Sequence, residues 1–302
     1  MARRPLVSAN NSHSPAGAGS YERFVGARPS GRLTCFQRLA FLLVTVCFLL
    51  ALAACVLRPD WQELAIEGSL ESRWLDSGRF RHLVLWNGQR GDHLRIYVDG
   101  DGKPWLRDTR VAIDPTPANP VLLRLMHDAT HPAVYLGRPC YFGTATDQGC
   151  EQRWWTFDRY GQVVVDSMCS AANRLSREQG AHTVSLVGYS GGGAIVVGMS
   201  GCTEKLVSVS TIAGNLDPDA WAEYHGYTAL NDLAPLDNEA TRQNHFKEAH
   251  WQCREDRNIP PSSTDNYFAV RESAIRHIVD SCSHSKGWKQ YWSQIIDSAE
   301  VH

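Results

Sequence analysis

The chain has 302 residues, 43% of them hydrophobic, with a formal net charge of −2. That is enough apolar material to bury one sizeable core or two small ones. Of its 30 basic and 32 acidic side chains, residues 1–38 hold Arg3, Arg4, Arg23, Arg28, Arg32, Arg38 and a single acid, Glu22. The remainder is therefore acidic, no basic stripe survives in it, and nucleic acid is excluded as an expected partner.

Residues 1–38 are rich in Ser, Gly, Pro and Arg without apolar periodicity, and read as a disordered basic n-region. Leu39 to Ala54 is an uncharged apolar stretch, short for a spanning helix and better suited to the core of a secretory signal. It ends in Leu52-Ala53-Ala54-Cys55, which resembles the lipobox of bacterial lipoproteins. That resemblance implies cleavage before Cys55 and lipidation of its sulfur, an anchor of more than one acyl chain. An uncleaved signal anchor and a plain cleaved signal are the alternatives. The long n-region leaves the true start codon open. All three readings place the folded part outside the cytoplasm.

Residues 56–75 are mixed and polar and read as a lead-in. Phe80 to Trp86 and Asp92 to Val98 are strand patterns, the second closed by the turn Asp99-Gly100-Asp101-Gly102. Pro120 to Asp128 is a short helix, and Ala133 to Leu136 a third strand. Arg159 to Gln179 has helical spacing, with Val163, Val164, Met168, Ala171 and Leu175 on one side. Thr183 to Val187 is a buried strand and Ala194 to Met199 a buried helix. Leu206 to Ala213, Phe246 to Gln252 and Ile275 to Val279 complete the strands, with Pro260-Pro261 opening a helical segment before the last. This alternation predicts an α/β fold, a doubly wound and mostly parallel sheet, with ligands at the carboxyl ends of its strands. No repeat or linker divides residues 76–302, which read as one domain.

Six cysteines follow Cys55, an even number that fits disulfides in an exported chain. Cys140 and Cys150 flank a short loop dense in Gly, Thr and Asp and are the expected pair. The pairing of Cys169, Cys202, Cys253 and Cys282 stays open; Cys253 with Cys282 and Cys169 with Cys202 is one arrangement by elimination. No CxxC or His-Cys cluster points to a metal. The ten tryptophans fit an aromatic-lined cleft or a membrane-facing surface, as well as ordinary packing.

The most informative stretch is Gly188-Tyr189-Ser190-Gly191-Gly192-Gly193, between the strand at 183 and the helix at 194. A serine on a sharp strand-to-helix turn lifts its hydroxyl into a cleft, and the helix N-terminus faces any negative charge developing beside it. The competing readings are a tight glycine turn or a phosphate loop. The run lacks G-x-G-x-x-G, and no G-K-[ST] follows.

Together with Tyr97-Val-Asp-Gly-Asp-Gly102, Arg138-Pro-Cys140 and Ala213-Gly-Asn-Leu-Asp217, this run resembles the α/β-hydrolase family over about residues 76–300. The nearer likeness is to exported bacterial lipoprotein hydrolases of poorly described function. The resemblance implies the order nucleophile, acid, histidine. Ser190 is then the nucleophile. Asp256, after the strand ending near Cys253, is the acid, preferred over its neighbour Glu255 and over Asp217, whose Asp-Pro sequence suits a helix N-cap. A solvated acid paired with Arg254 or Arg257 is the bland alternative for Asp256. His284, in the loop after the last strand, is the base; His277 and His250 fall within strands, and His245 precedes the acid.

The oxyanion hole is expected from the N–H of Gly191 and that of Asp101 or Gly102, with the Asp101 carboxyl turned away; an ordinary Asp-Gly hairpin is the alternative for that turn. Together these imply a serine hydrolase acting on esters or thioesters through an acyl-enzyme, with a small-molecule substrate and no cofactor. A peptidase of the same fold, or a non-catalytic envelope scaffold, is the alternative.

Overall fold

A computed structural model describes Ala40, Leu43 and Val44, and residues 61–107, 109–234 and 246–298. Apart from three helical positions, the expected n-region and apolar stretch lie outside the described residues, and so do Cys55 and His245. The chain divides into Met1–Val56 and Leu57–His302, and the elements below belong to the second unit. Among the described residues no helix is long and apolar enough to cross a membrane.

Eight strands form one sheet: β1 (Glu71–Asp76), β2 (Arg81–Trp86), β3 (His93–Val98), β6 (Ala133–Leu136), β7 (Thr183–Tyr189), β8 (Leu206–Ile212), β9 (Lys247–Cys253) and β10 (Ile275–Val279). Their order across the sheet is β1-β2-β6-β3-β7-β8-β9-β10. β2 runs antiparallel to both of its neighbours, whereas β6, β3 and β7 to β10 are all parallel. The short β4 (Trp105–Leu106) and β5 (Arg110–Val111) pair apart from it.

The helices are α1 (Trp61–Glu67), α2 (Val121–Met126), α3 (Gln162–Gln179), α4 (Gly191–Met199), α5 (Pro218–His225), α6 (Asp265–Val270) and α7 (Trp292–Ser298). α4 is buried along its whole length, as an apolar helix flanked by glycines must be when it packs on a central strand. α3 is amphipathic instead: Val164, Met168, Ala171 and Leu175 face the core.

The lead-in expected over 56–75 is corrected, because α1 and β1 occupy it. Only Leu75 of β1 is buried, so this edge strand lacks the alternation by which a half-buried strand announces itself. At Pro260-Pro261 the expected helix begins as a 3₁₀ turn, Pro261–Thr264, which leads into α6.

Register positions the site. Val98 of β3 lies opposite Gly188 of β7, so the Asp99–Gly102 turn and the Ser190 turn leave the sheet side by side. Val279 of β10 pairs with Cys253 of β9, so the two following loops also emerge together. Disulfides join Cys140 to Cys150, Cys169 to Cys202 and Cys253 to Cys282.

Away from these loops, fully buried His82 donates from Nδ1 to the Gly137 carbonyl at 2.9 Å, and its Nε2 accepts from Ser167 at 2.7 Å.

Candidate active site

Ser190 sits between β7 and α4 with φ 53° and ψ −124°. A side chain rarely takes that backbone, and here it holds the hydroxyl above the sheet. The turn closes because Gly192 has no side chain: a Cβ there would meet the Asp99 carbonyl at 2.5 Å and overlap that of Val98. Gly100 packs against the serine itself, its Cβ position 3.0 Å from Ser190 Cβ.

Three sequence-predicted residues converge. Ser190 Oγ donates to His284 Nε2 at 3.0 Å, and His284 Nδ1 donates to Asp256 Oδ2 at 2.8 Å. Asp256 is buried. Its other oxygen accepts the backbone N–H of Asn258 at 2.8 Å and of Ile259 at 2.9 Å. The carboxylate is thus fixed by its own loop and presents its free oxygen to the ring. Arg254 pairs with Asp280 instead. The His284 loop is pinned by Trp288, whose indole donates to the His284 carbonyl at 2.9 Å, and the ring leans on Tyr189 with centroids 5.2 Å apart.

The rivals lie elsewhere. Asp217 caps α5 by accepting from Ala220 N at 2.9 Å, and Asn266 donates to its second oxygen. His250 is buried against Thr211 at 2.8 Å, and His277 stacks on Trp251. Glu255 is exposed.

Asp101 meets Gly191 beside Ser190, and Gly102 lines the same cleft. Among the described residues their backbone N–H groups donate no hydrogen bond, and so stay available to a ligand. The expectation that the Asp101 carboxyl turns away is corrected, because its Oδ1 lies so close to Gly191 that a Cβ there would overlap it. Its charge is met by other means. Arg138 Nη1 donates to Oδ1 and the Tyr160 hydroxyl to Oδ2, each at 2.5 Å, and Arg159 Nη1 stands 3.5 Å from Oδ2. Burial alone would raise this carboxyl, but the two arginines and Tyr160 hold it below its ordinary value. The Tyr141 hydroxyl donates to the Asp101 carbonyl at 3.1 Å and fixes the peptide that follows. Neighbouring Asp99 is pushed up to about 6 by burial, although the Gly100 and α2 N–H groups pull it down.

These groups line an open cleft of about 780 Å³, walled by Trp105, Phe157, Tyr160, Trp221 and Tyr227 among others. Sequence reasoning missed Arg159, Tyr160 and Asn258. Asn258 Nδ2 donates to His284 Nε2 at 2.9 Å, sharing that nitrogen with Ser190. It missed the role of Arg138 as well, although Arg138-Pro-Cys140 carried part of the resemblance. Among the described residues no cluster of His, Cys, Asp or Glu is placed to hold a metal ion.

No protein-family model matches the sequence, and no curated protein matches it. Solved structures do. An esterase from Pyrococcus furiosus aligns at a TM-score of 0.54 and 10% identity, over 77% of this chain and 93% of that one. An acylaminoacyl peptidase in complex with Z-Gly-Gly-Phe-chloromethyl ketone aligns at 0.50 and 12%, over 77% and 42%. An α/β serine hydrolase without a lid from Xanthomonas campestris gives 0.49 and 12%, over 76% and 94%. At such identities the first two likenesses bear on the fold alone.

Proposed function

We infer that this chain, which has the α/β-hydrolase fold, is a serine hydrolase acting on carboxylic esters or thioesters. The observation that carries the reading is the pair of hydrogen bonds running from Ser190 through His284 to Asp256. His284 Nε2 takes the Ser190 proton as Oγ attacks the carbonyl carbon. Asp256 keeps the other ring proton on Nδ1 and stabilises the imidazolium that forms. The oxyanion is received by the N–H of Gly191 and that of Asp101 or Gly102, at the N-terminus of α4. The imidazolium then protonates the leaving alcohol or thiol, and water, activated by the same ring, releases the acid from the acyl-enzyme.

A fluorophosphonate probe tests this directly. The wild type should be labelled and Ser190→Ala should not; an unlabelled wild type, or equal labelling of both, ends the hydrolase reading. Turnover of peptides without turnover of esters would redirect it to a peptidase.

We also propose that residues 76–302 act outside the cytoplasm, held to a membrane through Cys55. The apolar stretch before Cys55 and the three disulfides support that location. Cys55→Ala should abolish incorporation of labelled palmitate, and persisting incorporation would refute the anchor.

A further inference from the structure

Arg159 forms part of the cleft wall, and although its charge faces Asp101, its hydrogen-bond donors are unspent. Its side chain is 8% exposed, yet its nearest acid, Asp101 Oδ2, stands 3.5 Å from Nη1. Its buried Nε has no partner, and among the described residues its guanidinium donates no hydrogen bond. A buried cation that makes an ion pair but no hydrogen bond leaves donors unsatisfied, which is costly.

Arg138 is differently placed. Its Nη1 is committed to Asp101 and its Nη2 to the Arg159 carbonyl, at 2.9 Å. One carboxylate therefore serves two guanidinium groups, and only Arg138 hydrogen-bonds to it. The Arg159 guanidinium carbon lies 5.6 Å from the Tyr160 ring centroid and 5.5 Å from that of Trp221. Those faces hold its charge without using its N–H donors.

We propose that Arg159 is a specificity residue that binds a carboxylate carried by the substrate, so that esters bearing a free carboxylate are preferred over neutral ones. The planar fork, with its donors unused, matches a carboxylate. Asp101 touches both Arg159 and Gly191, the residue after the nucleophile. Arg159 and Ser190 line the same cleft, so a short ester is the length of ligand proposed to place its carboxylate on one and its carbonyl at the other. The bond broken is still the ester, and the carboxylate takes no part in the chemistry.

The inference rests on the hydrolase reading for its kinetic arm only. Monoethyl adipate and ethyl hexanoate differ by a carboxylate in place of a methyl group. Wild-type protein should show kcat/KM about 10- to 100-fold higher for the adipate. Arg159→Gln should bring that ratio near one, and Arg159→Lys should restore part of it. Binding to Ser190→Ala, by calorimetry, should show the same preference and the same loss when Arg159→Gln is added. Equal binding of the two esters, or a preference that survives Arg159→Gln, overturns the proposal. A failure of probe labelling would remove the hydrolase reading and leave the binding ratio standing. Should Arg159→Gln not fold, as judged by its melting curve, the wild-type ratio and the Lys variant decide.

Discussion

Cys253 and Cys282 are bonded across the carboxyl ends of β9 and β10, just before Asp256 and His284. One covalent link therefore sets the separation of the two loops whose side chains meet at 2.8 Å. Replacing both cysteines with serine should cost about 3 kcal/mol of stability, because the bond closes a loop of sequence separation 29. It should also lower kcat more than it raises KM, as the acid drifts from the imidazole. An unchanged denaturation midpoint with unchanged kcat would contradict this.

The two aspartates considered for the acid should separate cleanly. Asp256→Asn keeps the shape but strips the charge that holds the imidazole, and should lower kcat/KM by about four orders of magnitude. Asp217→Ala should instead cost about 1 kcal/mol, the worth of an N-cap, and leave turnover in place. Steady-state kinetics and urea unfolding of the two variants read this out, and the reverse pattern would exchange their roles.

Stability should carry a pH dependence from His82. Burial pushes this imidazole down to about 4, partly offset by the Gly137 carbonyl and Asp76. Above its ordinary value near 6.5 the ring is neutral in both states and contributes nothing to the dependence. As pH falls from there to about 4, the unfolded chain takes up a proton that the folded chain refuses. Up to about 3 kcal/mol is lost across that window. His82→Gln lacks this loss, so its stability deficit against wild type should shrink between pH 7 and 4.5 in urea titrations. A deficit that stays constant would exclude His82 as the source.

Gly192→Ala should damage the Ser190 turn from within. The added methyl meets main-chain carbonyls of Val98 and Asp99 rather than flexible side chains. Strain of about 1–3 kcal/mol follows, and the serine shifts with its helix. Thermal unfolding should move down and fluorophosphonate labelling should slow; normal labelling in this variant would mean the turn relaxes elsewhere.

Much of this arrangement is legible in the sequence, for reasons that differ by residue. The strand before Ser190 is β-branched and continuous, and its glycines make a sharp turn readable without a structure. Asp256 and His284 follow from chain order once that turn is placed. β1 is not legible, because an edge strand with one buried residue has no apolar period to detect. Arg138 and Arg159 are invisible for another reason. They reach Asp101 from 37 and 58 residues further along the chain, and no local pattern records a meeting made by the sheet. The Asp101 carboxyl was misplaced for the same cause: its direction is set by those distant guanidinium groups.

The three residues joined by the hydrogen-bond relay leave the ribosome in a fixed sequence: Ser190, then Asp256, and His284 last. β10 is an edge strand, added beside β9 only after the other seven strands of the sheet have been made. A growing polypeptide thus carries its serine long before it carries the ring that would deprotonate it. Cys253 likewise waits for Cys282. On the proposed reading, activity arrives with β10 and the loop that follows it, and a chain that stalls short of them holds a hydroxyl with nothing to awaken it.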